Sequence, residues 1–368
     1  MAATDFGSFS GMKKKVWAAR GWKAGRDRTV LLASGQGLFG TDDNKPLHNI
    51  TELTETERGH QCVMHLINDL TGDGTPGDDE LDGNEEAIVI QDTVITTDLL
   101  RHGVRNQGKM SEQKTVVRFR TSARDKLGFW LANKLQEMCF LHLAGRPHTR
   151  TLRNGLRAAR SKLSRLAFAA DVRAPSANRT MIAGGVASLS GLSASDKMDW
   201  DTLVGAHTLA SRANLKPIMY RGKETYLAFL APEQLRDLKK DEKYNTNVAQ
   251  GAPRGEKNPL FTGAAAHVDG LILYSHNQVP TNYDDTTGWG AGNDVEGAQA
   301  LFLGAQALGV ATIGDSQWAE DKQKDYGNKP GISIGRKIGL KKPVFEDPVT
   351  ETDEDFSVVS IFTAAAKT

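Results

Sequence analysis

Thirty consecutive residues, Asp69–Asp98, hold ten acids and neither lysine nor arginine. The acids are Asp69, Asp73, Asp78, Asp79, Glu80, Asp82, Glu85, Glu86, Asp92 and Asp98. The block behind them reverses the sign: Arg101–Arg165 carries sixteen basic residues against Glu112, Asp125 and Glu137. Neither block can be buried as it stands, because unpaired charge taken out of water is costly. Each must face solvent or a surface of opposite sign. Runs of this kind are most often solvated faces. The sharper reading is self-complementarity, with the acidic segment of one copy lying on the basic surface of another. Opposed fields guide encounter and register more than they add affinity. On that reading the contact residues are the acids Asp69 to Glu86 named above, met by Arg101, Arg105, Arg118, Arg120 and Arg124.

The whole chain is nearly neutral, with 46 basic against 45 acidic residues, which excludes a polycation built to coat nucleic acid. Its 368 residues suffice for two or three domains. Two cysteines, Cys62 and Cys139, exclude a disulfide scaffold and a four-thiolate zinc ribbon. The longest uncharged stretch, Gly297–Gly314, is interrupted by Gly and Gln and makes a poor membrane span. Lys13, Lys14 and Lys15 are followed by no apolar block, so no secretory signal is expected. These features predict a soluble protein of a reducing compartment with free thiols.

Residues 1–55 lack periodicity, are rich in Gly, Lys, Arg and Asp, and read as an extended arm ordered by a partner. His60–Leu70 and Ala87–Leu100 read as strands flanking the turn-rich Thr71–Glu86, together a long hairpin. An isolated hairpin is marginal in water, so this one should rest on the body or on a neighbour. Ala123, Leu127, Trp130, Leu131, Leu135, Met138 and Leu141 recur at steps of three and four, predicting one helix that Gly145 and Pro147 stop. Begun near Ser111, it would span about thirty residues. Gly128 inside it implies close packing against another element. Thr149–Ala170 is basic and partly helical, and Arg173–Ala194 is a connector. A helix is expected at Asp199–Ala213, capped by Ser195 or Asp199. A strand at Glu224–Leu230 and a helix at Pro232–Lys240 follow. Beyond them come a polar loop at Lys243–Asn258, a strand at Val268–His276 and a Gly/Asp-rich loop at Tyr283–Asn293. Gln299–Ile313 is an apolar buried element, and Gly331–Leu340 and Phe356–Phe362 are late strands. Strands and helices alternate without a βαβ rhythm, so the fold class is α+β.

Chemical motifs fail one by one. Asp69-Leu-Thr-Gly-Asp73-Gly74 through Glu80 approaches a calcium loop, but Thr71 and the strand-like flanks argue for an acidic hairpin tip. His60, Cys62 and His65 offer metal ligands, yet on a strand His65 points away from Cys62. No nucleophile elbow or phosphate loop is complete; Gly251-Ala-Pro-Arg-Gly-Glu-Lys257 lacks the required ending. Asp315, Glu320 and Lys322 form a trio that chance supplies readily. Aromatic residues do not interleave with the basic runs, which speaks against a single-strand stacking platform. The basic segments could still touch phosphates without reading sequence.

The run Gly77-Asp-Asp-Glu-Leu-Asp-Gly-Asn-Glu-Glu-Ala87, followed by Asp98-Leu-Leu-Arg-His-Gly-Val-Arg-Asn-Gln-Gly-Lys-Met-Ser-Glu-Gln113, resembles major capsid proteins of tailed bacteriophages, in particular the N-four-like capsid family. Lys257-Asn-Pro-Leu-Phe-Thr-Gly-Ala264, Val268-Asp-Gly-Leu-Ile-Leu-Tyr-Ser-His276, Val279-Pro280, Ala300-Leu-Phe-Leu-Gly-Ala-Gln306 and Asp325-Tyr-Gly-Asn-Lys329 fit the same family, in order along 60–368. The resemblance implies the Hong-Kong-97-like fold. Its parts would be an N-terminal arm (1–58), an extended hairpin loop (59–100), and a peripheral domain (101–195) with a spine helix at about 111–143. An axial domain (196–324) and C-terminal strands (325–368) would complete it. It further implies no enzyme activity, no cofactor and no metal, and a shell of hexamers and pentamers in the virion, assembled in the bacterial cytoplasm around double-stranded DNA. Lys13, Lys14, Lys15 and Arg20 would face that DNA nonspecifically, and cement, portal and scaffolding proteins would be further partners. Alternatives from other classes are a soluble metal-dependent hydrolase using the acidic 69–86 loop and an encapsulin-like cargo compartment.

Overall fold

The computed structural model describes residues 22–23, 25–26, 29–32, 38–51, 59–67, 70, 72–77, 79–114, 119–220, 222–251, 267–268, 270–286, 288–321, 323–346 and 352–367. The helical stripe forms the frame. A short exposed helix, α1 (Lys109–Gln113), precedes α2 (Phe119–Leu143), whose 25 residues run about 37 Å at ~1.5 Å per residue. The long helix therefore starts at Phe119 rather than near Ser111; α1 closes in a turn at Lys114. Its end lies where Gly145 was expected to place it. Gly145 adopts φ +66, and a Cβ there would lie 2.4 Å from the Arg173 carbonyl oxygen. Gly128 has the close neighbour its presence implies: a Cβ on Gly25 would come within 2.3 Å of the Gly128 oxygen. Backbone rests on backbone here, and Gly25 cannot carry a side chain.

The strands are β1 (Phe39–Gly40), β2 (Leu47–Ile50), β3 (Gln61–Ile67), β4 (Ile90–Thr96), β5 (Asp98–Arg105), β6 (Thr180–Ile182), β7 (Ile218–Tyr220) and β8 (Lys223–Leu230). They continue as β9 (His267–Val268), β10 (Leu271–Ser275), β11 (Gly297–Leu303), β12 (Leu308–Asp321), β13 (Gly331–Lys341), β14 (Val344–Glu346), β15 (Asp353–Asp355) and β16 (Val358–Ala364). One sheet has the order β1-β2-β12-β13-β5, and α2 packs on it through β13, β5 and β12. A second sheet runs β6-β16-β11-β8-β10-β9, with β7 on β8. Helices α3 (Trp200–Arg212), α4 (Pro232–Leu238) and α5 (Glu242–Gly251) belong to this second half. Leu131, Leu135, Phe140 and Leu143 of α2 share one core with Leu301, Phe229 and Val358 of the second sheet and Ile334 and Leu340 of the first. The C-terminal half of α2 thus serves both sheets at once.

The fold is α+β, as the sequence pattern implies. Asp199 caps α3, its Oδ1 accepting from Thr202 N at 2.8 Å. Several elements differ from expectation. The apolar run Gln299–Ile313 is two strands, because the chain turns at Gly304–Gln306 and crosses from one sheet to the other; Gly304 abuts the Lys216 oxygen, and Gln306 takes φ +56. Val268–His276 is a small hairpin bent at Gly270, φ +73. Lys243–Asn258 was expected as loop, but its first part is α5: Asp241 Oδ1 accepts from Lys243 N at 3.1 Å, and Tyr244 is buried beside Trp200. Ala87–Leu100 is not one strand; after Thr97 the chain leaves the hairpin and β5 joins the first sheet. Part of the arm region needs no second chain. Leu47 and Ile50 are buried where β2 pairs in parallel with β12, and Leu31 and Leu32 sit in the main core with Val30 N donating to Gln136 Oε1 at 2.8 Å.

Candidate assembly surface

The hairpin β3–β4 has a seated root and a projecting tip. In its register Gln61 faces Thr96 and Ile67 faces Ile90. At the root, Cys62, Met64 and Ile95 close a small core with Ile50 and Ala311. Gly309 and Gly339 make room for it, since a Cβ would come 2.6 Å from Ile95 Cδ1 or 2.5 Å from the Thr96 oxygen. The side-chain amide of Gln91 clasps β14, donating to Glu346 O at 3.0 Å and accepting from Glu346 N at 2.7 Å. Lys341 Nζ donates to Val94 O at 2.9 Å. His65 Nδ1 lies 2.5 Å from Asp92 Oδ1 on the opposite strand. Cys62 is buried and His65 exposed, so the two do not converge.

Past Ile67 and Ile90 the ribbon keeps its shape by local bonds. Glu86 Oε2 accepts from Gly72 N at 2.7 Å, Glu85 Oε2 accepts from Gly83 N at 2.8 Å, and Asn84 Nδ2 donates to Glu80 O at 2.8 Å. Fourteen large apolar side chains of the described residues are exposed, and seven of them (Ile67, Leu70, Leu81, Ile88, Val89, Ile90, Val94) belong to this ribbon. Large apolar side chains gathered on one exposed element are characteristic of interaction surfaces. Among the described residues, Asp73, Asp79, Glu80, Asp82 and Glu85 form no ion pair. Asp69 and Asp78 lie outside the described residues.

The basic block divides into two kinds of residue. Arg105 pairs with Asp321 at 2.8 Å, Arg120 with Glu320 at 2.7 Å and Arg124 with Asp125 at 2.7 Å. Arg101 is exposed and makes no ion pair among the described residues; Arg118, Lys13, Lys14, Lys15 and Arg20 lie outside them. Deeper in the block, Arg146 is buried and donates to Thr281 O at 2.5 Å and Leu152 O at 3.1 Å, with burial pushing its pKa down to about 10. Arg157 lies 2.5 Å from Glu137. Burial alone would raise the Glu137 carboxyl, but Lys134 and Arg157 together hold it below the usual range. These cations are part of the chain's own architecture.

Arg153, Arg160, Lys162 and Arg165 are different. All four are exposed and none forms an ion pair among the described residues. Sequence reasoning did not single them out. The signal available was the absence of any acid between Glu137 and Asp171, but spacing could not separate them from Arg146 and Arg157, because the segment folds as turns and 3₁₀ pieces with no periodic face. Among the described residues, one element thus offers carboxylates without ion pairs together with exposed aliphatic residues, and the 153–165 segment offers four exposed cations without ion pairs together with exposed Leu156.

Residues 12–367 match the family of phage capsid proteins. A major capsid protein of Pseudomonas phage KPP25 is 38% identical over 376 residues, which cover 98% of either chain. The capsid of Ralstonia phage GP4 superposes with a TM-score of 0.74 at 28% identity over 90% of each chain. The capsid asymmetric unit of cyanophage Pam1 shares the fold, with a TM-score of 0.73 at 19% identity over 93% of this chain and 94% of that one.

Proposed function

The chain belongs to the phage capsid protein family, and from that premise we propose how its copies close the shell: the acidic hairpin of one copy lies over the basic ridge of the next. The protein is a structural one and not an enzyme, a tailed-phage major capsid protein of Hong-Kong-97-like fold that self-assembles into the icosahedral shell of the virion. Such shells are closed by contacts between unlike patches whose rotations make rings. The observation that carries the contact is the hairpin, which holds half of the exposed large apolar side chains of the described residues beside Asp73, Asp79, Glu80, Asp82 and Glu85, none of them ion-paired among those residues. Apolar area supplies the attraction once water is expelled, and opposed charge sets the register. Arg153, Arg160, Lys162 and Arg165, together with Arg101, are exposed and form no ion pair among the described residues, so they are able to receive it. Arg105, Arg120 and Arg124 already have acidic neighbours and contribute less.

Reversing charge at Asp78, Asp79 and Glu80 is expected to abolish shell formation, read by sedimentation or negative-stain images, with the subunit still folded. Reversing Arg160 and Arg165 as well should restore part of the yield. Normal shells from the acidic triple variant would overturn the contact.

On this reading the peripheral domain would centre on the first sheet with α2 and the axial domain on the second sheet with α3–α5, although β12, in the 196–324 range, lies in the first sheet and β6, in the 101–195 range, in the second. Copies would gather as hexamers and pentamers in the host cytoplasm, with double-stranded DNA inside and Lys13, Lys14, Lys15 and Arg20 toward its phosphates. Contacts of that kind weaken steeply with salt. Filled shells should then respond to added salt differently from empty ones, and equal responses would count against the assignment.

A further inference from the structure

The long hairpin β12–β13 ends in a loop that holds an aromatic side chain out in water. Asp325 (φ +56), Tyr326 (φ +48) and Gly327 (φ +82) are three successive left-handed residues, and Tyr326 is fully exposed. For Asp and Tyr that conformation is strained and persists only where surrounding bonds enforce it. They are present. Asp325 Oδ2 accepts from Asn328 Nδ2 at 3.1 Å and lies 3.4 Å from Lys329 Nζ, while Asn328 Oδ1 accepts from Lys109 N at 3.1 Å. These contacts fix the loop to α1, whose Met110 is also largely exposed. At the same end of the molecule, beside α1, a cleft of about 340 Å³ opens between β5 and the start of α2. Val104, Phe119 and Ala123 give it apolar walls, and Glu112, Ser122 and Lys126 give it a polar edge.

We propose that Tyr326 is an assembly knob, inserted into the Val104–Phe119–Ala123 cleft of a second copy of this chain. The proposal rests on the assembly reading and adds a contact distinct from the hairpin tip. Every copy in a shell carries both the knob and the cleft. The cleft is large enough for a phenol ring, and its mixed lining suits a side chain with an apolar body and a polar end. A preformed knob loses little freedom on docking, which is how an aromatic becomes a dominant interface residue.

Tyr326→Ser is expected to lower the yield of closed shells on the order of tenfold or more, with the melting temperature of the free subunit unchanged. Tyr326→Phe should keep most of the yield. Two further variants, Tyr326→Cys and Ser122→Cys, are mixed, assembled and oxidised. An inter-chain disulfide should form in shells and not in the unassembled mixture; Cys62 and Cys139 are buried and do not compete. Normal shells from Tyr326→Ser, or oxidised shells without that link, would overturn the knob. If wild-type and Tyr326→Phe chains both fail to form shells, the assembly reading falls instead.

Discussion

The C-terminal half of α2 and the tip of the β3–β4 hairpin are both rich in aliphatic side chains, and they meet opposite fates. From Leu135 to Leu143 every residue of α2 is buried, including Gln136, Glu137 and His142. At the tip, Ile88, Val89 and Ile90 are each more than half exposed. Apolar content does not separate a core from an interface. The neighbours in sequence do. Two of the polar residues inside α2 find hydrogen-bonding partners on the same chain: Glu137 takes Lys134 and Arg157, and Gln136 takes Val30 N and Gln278 Oε1. At the tip, aliphatic residues stand near Asp73, Asp79, Glu80, Asp82 and Glu85, which form no ion pair among the described residues, so folding the ribbon back would bury charge. One region stabilises the subunit, and the other is exposed in it, as the proposed contact between copies requires.

The largest expected effect breaks the helix side of this comparison. Phe140 is fully buried, edge-on to Phe229 at 5.8 Å and stacked on His276 at 5.7 Å. Phe140→Ala should destabilise the isolated subunit by about 3–5 kcal/mol, through lost burial and the cavity left behind. Urea unfolding reads this directly. A change below about 1 kcal/mol would mean that the α2 core is not the keystone described here.

A smaller effect on the same helix depends on pH. His142 and His148 meet edge to face at 5.1 Å, both packed on Phe168. Both ring nitrogens of His142 and Nε2 of His148 are buried without a hydrogen-bond partner among the described residues. Burial pushes His142 well below the ordinary imidazole range, helped by the nearby His148 and Lys342. Burial likewise brings His148 down to about 4, opposed in part by the Leu163 carbonyl and Glu137 and reinforced by Arg157. A depressed folded-state pKa means the unfolded chain takes up the proton first. Stability is therefore full above about pH 6.5 and is lost as pH falls toward 4. His148 alone accounts for roughly 3 kcal/mol over that window. Comparing urea midpoints at pH 8 and pH 4.5 for wild type and His142→Phe/His148→Phe tests this, the double variant being expected to lose much of the acid sensitivity. An unchanged acid limb would assign the loss to other groups.

How far this division was legible in the sequence varies by element. The stripe from Ala123 to Leu141 and the stop at Gly145 announce α2, because burial on one helix imposes its own period. The hairpin is announced by β-rich runs around Gly and Asp. The split between β11 and β12 was hidden, since a strand buried on both faces shows no alternation, and the turn at Gly304–Gln306 carries only a glycine as its sign. The place of β2 was hidden too: Leu47 and Ile50 form a parallel edge pair with a partner some 260 residues away in sequence, which no local pattern encodes. The candidate surface was half legible. Charge sign pointed to the ribbon and the basic block, but which cations are already paired depends on long-range neighbours such as Asp321 and Glu320.

The smallest expected effect on the subunit is the one that sharpens the comparison most. Ile88→Ser, Val89→Ser and Ile90→Ser together remove three large aliphatic side chains, which in a core would cost many kcal/mol. Here they already face water, and the hairpin root at Cys62, Met64 and Ile95 is untouched. The subunit's unfolding free energy should therefore shift by no more than about 0.5 kcal/mol. Shell formation should nevertheless fail, because the same three residues would no longer exclude water from the contact between copies. A loss of subunit stability comparable to that of Phe140→Ala would show that the tip is covered by its own chain in solution. The distinction between a region that folds the subunit and a region reserved for its neighbours would then be lost.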